Sequence, residues 1–353
     1  MANTQKSNTS IVLVCITIFT SLVFIACNKH PKKINRGIYY WKNSIWYLQD
    51  EERKFLQDHQ IKTMYVKYFE VYYDENMGAT PTAKTYISLY NTDSMNIIPV
   101  VYVRNELFKS MHDSEYATLA KNMLYLIDKY SKERFAESKV LPEIQIDCDW
   151  TISTKEKYFK LLSLLKQEAK RKLTCTLRLY PYKYDDKMGI PPVDEAVLMC
   201  YNLMNPLENK SKNSILDIDE LKKYLSRKKA YPLPLTVALP TFSWMQLYQM
   251  NNFKQLIHKH YSELLPVLKP DSEKFWYAVT RDTVVEDMYI RQGDKIKAEA
   301  ITEENLSDAI ELLNKELSFS NELTVLLYHL DANQLKPYSH EAIEHVYNDF
   351  LSR

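Results

Sequence analysis

Short apolar runs rich in β-branched and aromatic residues alternate along this chain with longer amphipathic stretches whose apolar positions recur at helical spacing. Runs at 37–41, 63–69, 97–103, 143–149, 174–179, 197–203, 235–239 and 324–329 predict eight strands. The stretches between them carry helix starts. Ser153-Thr154-Lys155-Glu156 reads as a capping box ahead of Tyr158, Leu161, Leu162 and Leu165 on one face. Asp217-Ile218-Asp219-Glu220 opens a second helix, Thr302 precedes Leu306, Ile310 and Leu313, and Ser339 starts a closing helix through Val346 and Phe350. Strand and helix in strict alternation predict an α/β fold with a parallel sheet, and eight strands fit a closed (β/α)8 TIM barrel. Two stretches break the rhythm. Residues 72–96 read as a long loop, and 276–300, turning at Arg291-Gln292-Gly293-Asp294, reads as a small hairpin inserted before the last helix–strand pair. Without repeats or low-complexity segments, residues 37–353 read as one barrel domain.

The fourth strand is the most informative. In Ile144-Gln145-Ile146-Asp147-Cys148-Asp149-Trp150-Thr151, one face carries Ile144, Ile146, Cys148 and Trp150, and the other Gln145, Asp147, Asp149 and Thr151. A ladder of polar groups on an inner face is costly unless it lines a polar cavity. Barrels of this kind gather their sites at the carboxyl ends of the strands. Those ends offer Tyr40 and Trp41, Tyr68 and Glu70, Tyr102 and Arg104, Asp147 and Asp149, Arg178 and Tyr180, Tyr201 and Asn202, Phe242 and Trp244, and Tyr328, His329 and Asp331. Aromatic platforms with a few carboxylates and arginines suit a carbohydrate cleft, because pyranose C–H faces stack on rings while hydroxyls need fixed donors and acceptors. The expected lining is Trp41, Glu70, Arg104, Trp150, Arg178, Tyr201, Asn202, Trp244 and Asp331 around the pair Asp147 and Asp149. For the pair itself, a structural alternative is an ion pair with Arg178 on the neighbouring strand.

The ends of the chain add a location. Lys6, an apolar run from Ile11 to Ile25 and a small residue before Cys27 read residues 1–26 as an export signal, the run being shorter than the roughly 20 residues of a spanning helix. Phe24-Ile25-Ala26-Cys27 resembles the lipobox of bacterial lipoproteins, which makes Cys27 the lipid-bearing residue and 27–36 a basic tether. No acidic export tag follows, which favours the periplasmic side of the cell envelope over the cell surface. Near-balance between 46 basic and 45 acidic residues gives no polycation signal, so nucleic acid is not an expected partner. Four scattered glycines leave no phosphate-cradling loop, and no cofactor is expected. Cys148, Cys175 and Cys200, each in an apolar run, read as buried free thiols. His258 and His260 are two apart on a predicted helix and face different ways. His340 and His345 miss the zinc-protease spacing by one residue, so both pairs read as surface histidines and no metal is expected.

Ile144–Thr151 resembles the fourth-strand motif Asp-Gly-Ile-Asp-Ile-Asp-Trp-Glu of the family 18 glycoside hydrolases, the chitinases and their relatives. Asp147, Asp149 and Trp150 fall on its second Asp, third Asp and Trp. Met199-Cys200-Tyr201-Asn202 resembles that family's sixth-strand Met-x-Tyr-Asp, and Val237-Ala238-Leu239-Pro240-Thr241-Phe242 its seventh-strand Gly-Leu-Pro-x-Tyr. The chain also looks like uncharacterised lipoproteins of gut-associated Bacteroidota. The departures are as informative: Thr151 stands where the proton-donating Glu belongs, Ile144 replaces the first Asp, and Asn202 the sixth-strand Asp. A threonine hydroxyl cannot serve as a general acid near neutral pH. The resemblance therefore implies a membrane-anchored barrel that binds a glycan without the usual acid. One alternative is an active hydrolase in which Asp149 serves as a displaced acid with Asp147 raising its pKa. Another is a non-catalytic envelope scaffold. Barrel glycosidases of the other large type pair acids on strands four and seven, but strand seven here ends Pro240-Thr241-Phe242-Ser243-Trp244 and supplies none.

Overall fold

The computed structural model describes residues 30–42, 48–82, 84, 95–133, 141–208, 210–285 and 288–351. The expected signal segment and Cys27 lie outside these residues. Its strands, in chain order, begin with β1 (Lys33–Tyr40), β2 (Thr63–Asp74), β3 (Gly78–Thr82), β4 (Asn96–Val103), β5 (Glu143–Asp147), β6 (Lys172–Arg178), β7 (Glu195–Met199) and β8 (Leu235–Pro240). They continue with β9 (Trp244–Gln249), β10 (Asn252–Ile257), β11 (Leu268–Pro270), β12 (Trp276–Val279), β13 (Thr283–Val285), β14 (Met288–Ile290), β15 (Lys295–Glu299) and β16 (Glu322–Tyr328). Eight of these pair in parallel in the order β1-β2-β4-β5-β6-β7-β8-β16, and β16 pairs back onto β1. This is a closed (β/α)8 TIM barrel, and its members are the eight strands that the apolar runs predict. β7 ends at Met199, so Cys200–Leu203 is irregular chain rather than strand. β1 and β16 start level, Lys33 opposite Glu322, so the chain enters at the amino ends of the strands.

Helices α1 (Asp50–Asp58), α2 (Tyr116–Lys132), α3 (Lys155–Ala169), α4 (Ile218–Leu225), α5 (Glu303–Glu316) and α6 (His340–Asn348) belong to the outer layer. Each of the longer ones turns an apolar stripe inward, as Tyr158, Leu161, Leu162 and Leu165 do from α3. Three expected starts form as read: Asp217 accepts from Glu220 N at 3.0 Å, Thr302 from Asn305 N at 3.1 Å and Ser339 from Ala342 N at 3.1 Å. The capping box expected at Ser153–Glu156 does not form. Thr154 Oγ1 instead donates to Asn105 Oδ1 at 2.6 Å and accepts from Thr151 N at 2.9 Å. Cys148, Cys175 and Cys200 are buried free thiols.

Two expectations change. The stretch after the second strand is not wholly loop: β2 runs on to Asp74 and folds back as β3, antiparallel to it, while 83 and 85–94 fall outside the described residues. The inserted hairpin is a five-stranded antiparallel sheet, β10-β9-β15-β12-β11, with β13 and β14 as a separate ribbon, and it starts at Trp244 rather than 276. His258 and His260 accordingly lie outside any helix, between β10 and a 3-10 turn. The cause is burial on both faces. Met245 and Leu247 enter a core of the insertion's own, with Ile257, Ile290 and Ile296, while Trp244, Gln246 and Tyr248 are covered from the other side. A short strand without a solvent face has no alternation to read. The anchor to the barrel is Glu299, fully buried. It accepts from Trp244 Nε1 at 2.5 Å, Gln246 Nε2 at 3.1 Å, Ser214 N at 2.9 Å, Ser214 Oγ at 2.7 Å and Lys297 Nζ at 2.7 Å.

Candidate functional site

β5 sends Gln145 and Asp147 into the barrel, with Asp149 just past its end and Ile144, Ile146 and Cys148 facing the helices. Each inner rung meets a polar partner. Glu143 Oε1 accepts from Tyr65 OH at 3.1 Å and from Thr174 Oγ1 at 2.9 Å, and Gln145 Oε1 accepts from Tyr39 OH at 2.7 Å. Asp147 Oδ1 accepts from Thr176 Oγ1 at 2.5 Å, and Asp149 Oδ1 from Arg178 Nη1 at 2.9 Å. The ladder rises into a cavity of about 260 Å³ at the carboxyl ends of the strands, with Asp147 on its floor.

The two carboxylates differ. Burial and then the charge of Asp149 push Asp147 up from 3.8 to about 7, against the Thr176 hydrogen bond. This reverses the expected direction, in which Asp147 would raise Asp149. Asp149 is half-exposed, and its partner Arg178 also donates through Nη2 to the Asn202 carbonyl at 3.1 Å, tying three strand ends together. The ion pair anticipated as the structural alternative is thus present.

A second charged group sits across the cavity. Lys67 and Glu70, three apart on β2, would face opposite ways in a regular strand. A bulge at Tyr68, where the register with β4 skips one residue, turns both inward. Lys67 Nζ, almost fully buried, donates to Glu70 Oε1 at 2.6 Å, and Arg104 Nη2 donates to Oε2 at 2.8 Å. Burial opposes the charge on Glu70, but these hydrogen bonds outweigh it and hold the carboxyl below its ordinary range. Rings make the walls: Trp41 lies 6.4 Å from Tyr102 and 6.1 Å from Tyr328, and Tyr328 stacks on Tyr201 at 4.9 Å. The buried Tyr201 hydroxyl and Asn202 Oδ1, both on cavity-lining residues, have no hydrogen-bond partner among the described residues.

Of the residues read from sequence, Trp41, Glu70, Asp147, Asp149, Arg178, Tyr201 and Asn202 line this cavity. Arg104 stands half-exposed at its edge through Glu70. Trp150 does not face it: at 4% exposure it packs on Tyr158 at 5.2 Å and backs a neighbouring hollow. Trp244 and Asp331 stand outside. The Trp244 indole is committed to Glu299, and Asp331 caps a helical turn by accepting from Asn333 N and Gln334 N at 2.9 and 3.1 Å. Sequence reasoning passed over Tyr39, Lys67 and Thr176, and named Met199 only within the sixth-strand motif, not as part of the lining. Thr176 had a signal, since Thr174, Thr176 and Arg178 share one face of β6, as did Met199, two before Tyr201. Thr151 is spent locally, its hydroxyl 3.0 Å from Ser153 Oγ and 3.2 Å from Thr154 Oγ1.

His340 and His345 are exposed, as expected, and His340 joins a cluster that the sequence did not suggest. His340 stacks on His59 at 4.5 Å beside Glu344, near enough together for a metal ion. Both Glu344 oxygens, however, accept from Arg36 at 2.8 and 2.9 Å, and Oε1 also meets His59 Nδ1 at 2.9 Å. The guanidinium already occupies the place of a cation.

In fold, this closed eight-stranded barrel is chitinase-like. Solved structures share it. A chitinase from Chromobacterium violaceum matches with a TM-score of 0.55 at 9% identity, over 89% of this chain and 98% of its own. The spore cortex-lytic enzyme SleL of Bacillus cereus matches at 0.53 and 12%, over 90% of this chain and 75% of its own. YKL-39, solved in the presence of chitooligosaccharides, matches at 0.53 and 9%, over 90% of this chain and all of its own. At such identities the likeness is one of fold. No family model matches the sequence, and no curated protein does.

Proposed function

We propose that this protein is a lipid-anchored, chitinase-like barrel that binds a glycan without cleaving it. The observation that carries the reading is the pairing of a ring-walled, charge-floored cavity with a threonine at position 151, knotted into the start of α3 where the motif it resembles carries its proton-donating Glu. A sugar ring stacks on Trp41 or Tyr102, and its hydroxyls meet Asp149, Glu70, Arg178, the Tyr201 hydroxyl and Asn202. The chitooligosaccharides in the YKL-39 structure supply the analogy for the ligand class.

The full-length chain, screened on arrays of N-acetylglucosamine and mannose oligosaccharides, is expected to bind at least one class. Mass spectrometry is expected to find no shortened product, and Asp149→Asn to weaken binding at least tenfold by removing the acceptor that Arg178 positions. Cleavage that disappears with Asp149→Asn would replace this reading with a hydrolase using a displaced acid. Silence in both channels would replace it with an envelope scaffold.

The anchor is part of the proposal: residues 1–26 are removed and Cys27 carries the lipid, on the periplasmic side of the envelope. Growth on an alkyne-tagged fatty acid is expected to label the wild-type protein and leave Cys27→Ser unlabelled. Equal labelling of both would remove the anchor from the proposal.

A further inference from the structure

Beside the cavity lies a second hollow of about 600 Å³, and the two share Asp149 and Arg178 as their common wall. Its other surfaces are of a different chemistry. Trp150 backs it, with Ile152, Tyr180, Pro181 and Met188 around the opening. Ile152 is 56% exposed and Tyr180 45%, which leaves bare apolar surface at the edge of a polar site.

A second sugar would find little here. Away from the shared wall the lining is mostly carbon, from Trp150, Ile152, Tyr180, Pro181 and Met188, so a pyranose lodged there would bury most of its hydroxyls without partners. An apolar group gives up little by covering the Trp150, Ile152, Tyr180, Pro181 and Met188 side, because that surface is itself apolar. Thr151 adds no further charge beside the Asp149–Arg178 pair, and its hydroxyl lies within hydrogen-bonding distance of Ser153 Oγ and Thr154 Oγ1. Continuity through Asp149 and Arg178 also fixes how an occupant arrives, as a substituent on the sugar in the main cavity.

We propose that the hollow is the seat of an apolar aglycone, an aryl or alkyl group glycosidically attached to the sugar held over Asp147 and Asp149. The inference rests on the glycan-binding reading and narrows its ligand to glycoconjugates with a non-sugar, apolar substituent.

Titration calorimetry of the full-length protein with matched methyl and phenyl glycosides of N-acetylglucosamine and of mannose tests it. The phenyl glycoside of the recognised sugar is expected to bind about tenfold or more tightly than its methyl counterpart, the gain from burying one ring. Tyr180→Ala and Ile152→Ser, on the exposed lip, are expected to erase most of that gain and leave methyl glycoside affinity within about twofold. Equal affinity for the two glycosides would overturn the aglycone site while leaving glycan binding intact. A phenyl preference that survives both substitutions would overturn it as well, by placing the ring elsewhere. Failure of all four glycosides to bind, in a protein that also ignores oligosaccharides, would sink the glycan reading and this inference with it.

Discussion

Replacing Asp147 by Asn makes the protein more stable at pH 8. The carboxyl titrates near 3.8 in an unfolded chain and at about 7 in the fold, where burial and the neighbouring Asp149 charge disfavour ionisation. Below pH 3.8 both states hold the proton and the group is neutral in its effect. Between 3.8 and 7 the unfolded chain releases the proton while the folded one keeps it, so stability falls as pH rises, and above 7 the full cost of a buried charge is present. A rise of that size corresponds to about 4 kcal/mol. Asn accepts the same hydrogen bond from Thr176 and carries no charge. Thermal melts of wild type and Asp147→Asn should coincide near pH 3.5 and separate progressively to pH 8, with the variant higher by roughly 5 °C or more. Parallel curves across that range would show that Asp147 is not held near neutrality. The same variant is expected to bind glycan more weakly, a combination characteristic of a residue retained for what it does rather than for what it holds together.

Glu299→Ala is expected to have the opposite consequence for folding, of comparable size. This carboxylate pairs with the fully buried Lys297 ammonium, which also donates to the Lys212 carbonyl, and it accepts from the Trp244 indole, Gln246 and Ser214. Removing one member of a buried pair costs ~3–5 kcal/mol, because the charge left behind has lost its solvent and its counterion together. Urea unfolding followed by tryptophan emission should show that loss. Glu299→Gln, which keeps part of the hydrogen bonding, should fall between. Lys297→Met combined with Glu299→Leu tests the cause: removing both charges should recover most of the stability. A double variant as unstable as Glu299→Ala would mean that shape and hydrogen bonding at this joint, not the charge pair, secure the inserted sheet.

The barrel was legible because its strands are continuous apolar runs separated by capped amphipathic helices, a pattern that buried parallel strands impose on any sequence. The central carboxylates were legible for the same reason, since alternation along residues 144–151 assigns each side chain to one wall. What escaped was whatever broke period two. The bulge at Tyr68 brings Lys67 and Glu70 to one side, and no count along the strand foresees a skipped residue. Trp244 was misplaced because a tryptophan after a barrel strand looks the same in sequence whether it lines a cleft or begins a new sheet. Asp331 was misplaced because a strand-end aspartate is equally at home as a helix cap. Trp150, two past Cys148 on the outward face, follows that face into the α3 contacts rather than the cavity.

The chain enters the barrel at the amino ends of its strands, and the cavity opens at the other end. With a lipid on Cys27, as proposed, the residues up to Lys33 span at most ~20 Å, and the tilted strands add roughly another 20 Å before the mouth is reached. A tether leaving from that end favours a mouth pointed into the aqueous compartment and away from its own bilayer. Headgroups of the membrane that holds the protein are then poor competitors for the site. The reachable pool is material in transit or part of an opposing layer, and an apolar aglycone would have to arrive already exposed to water.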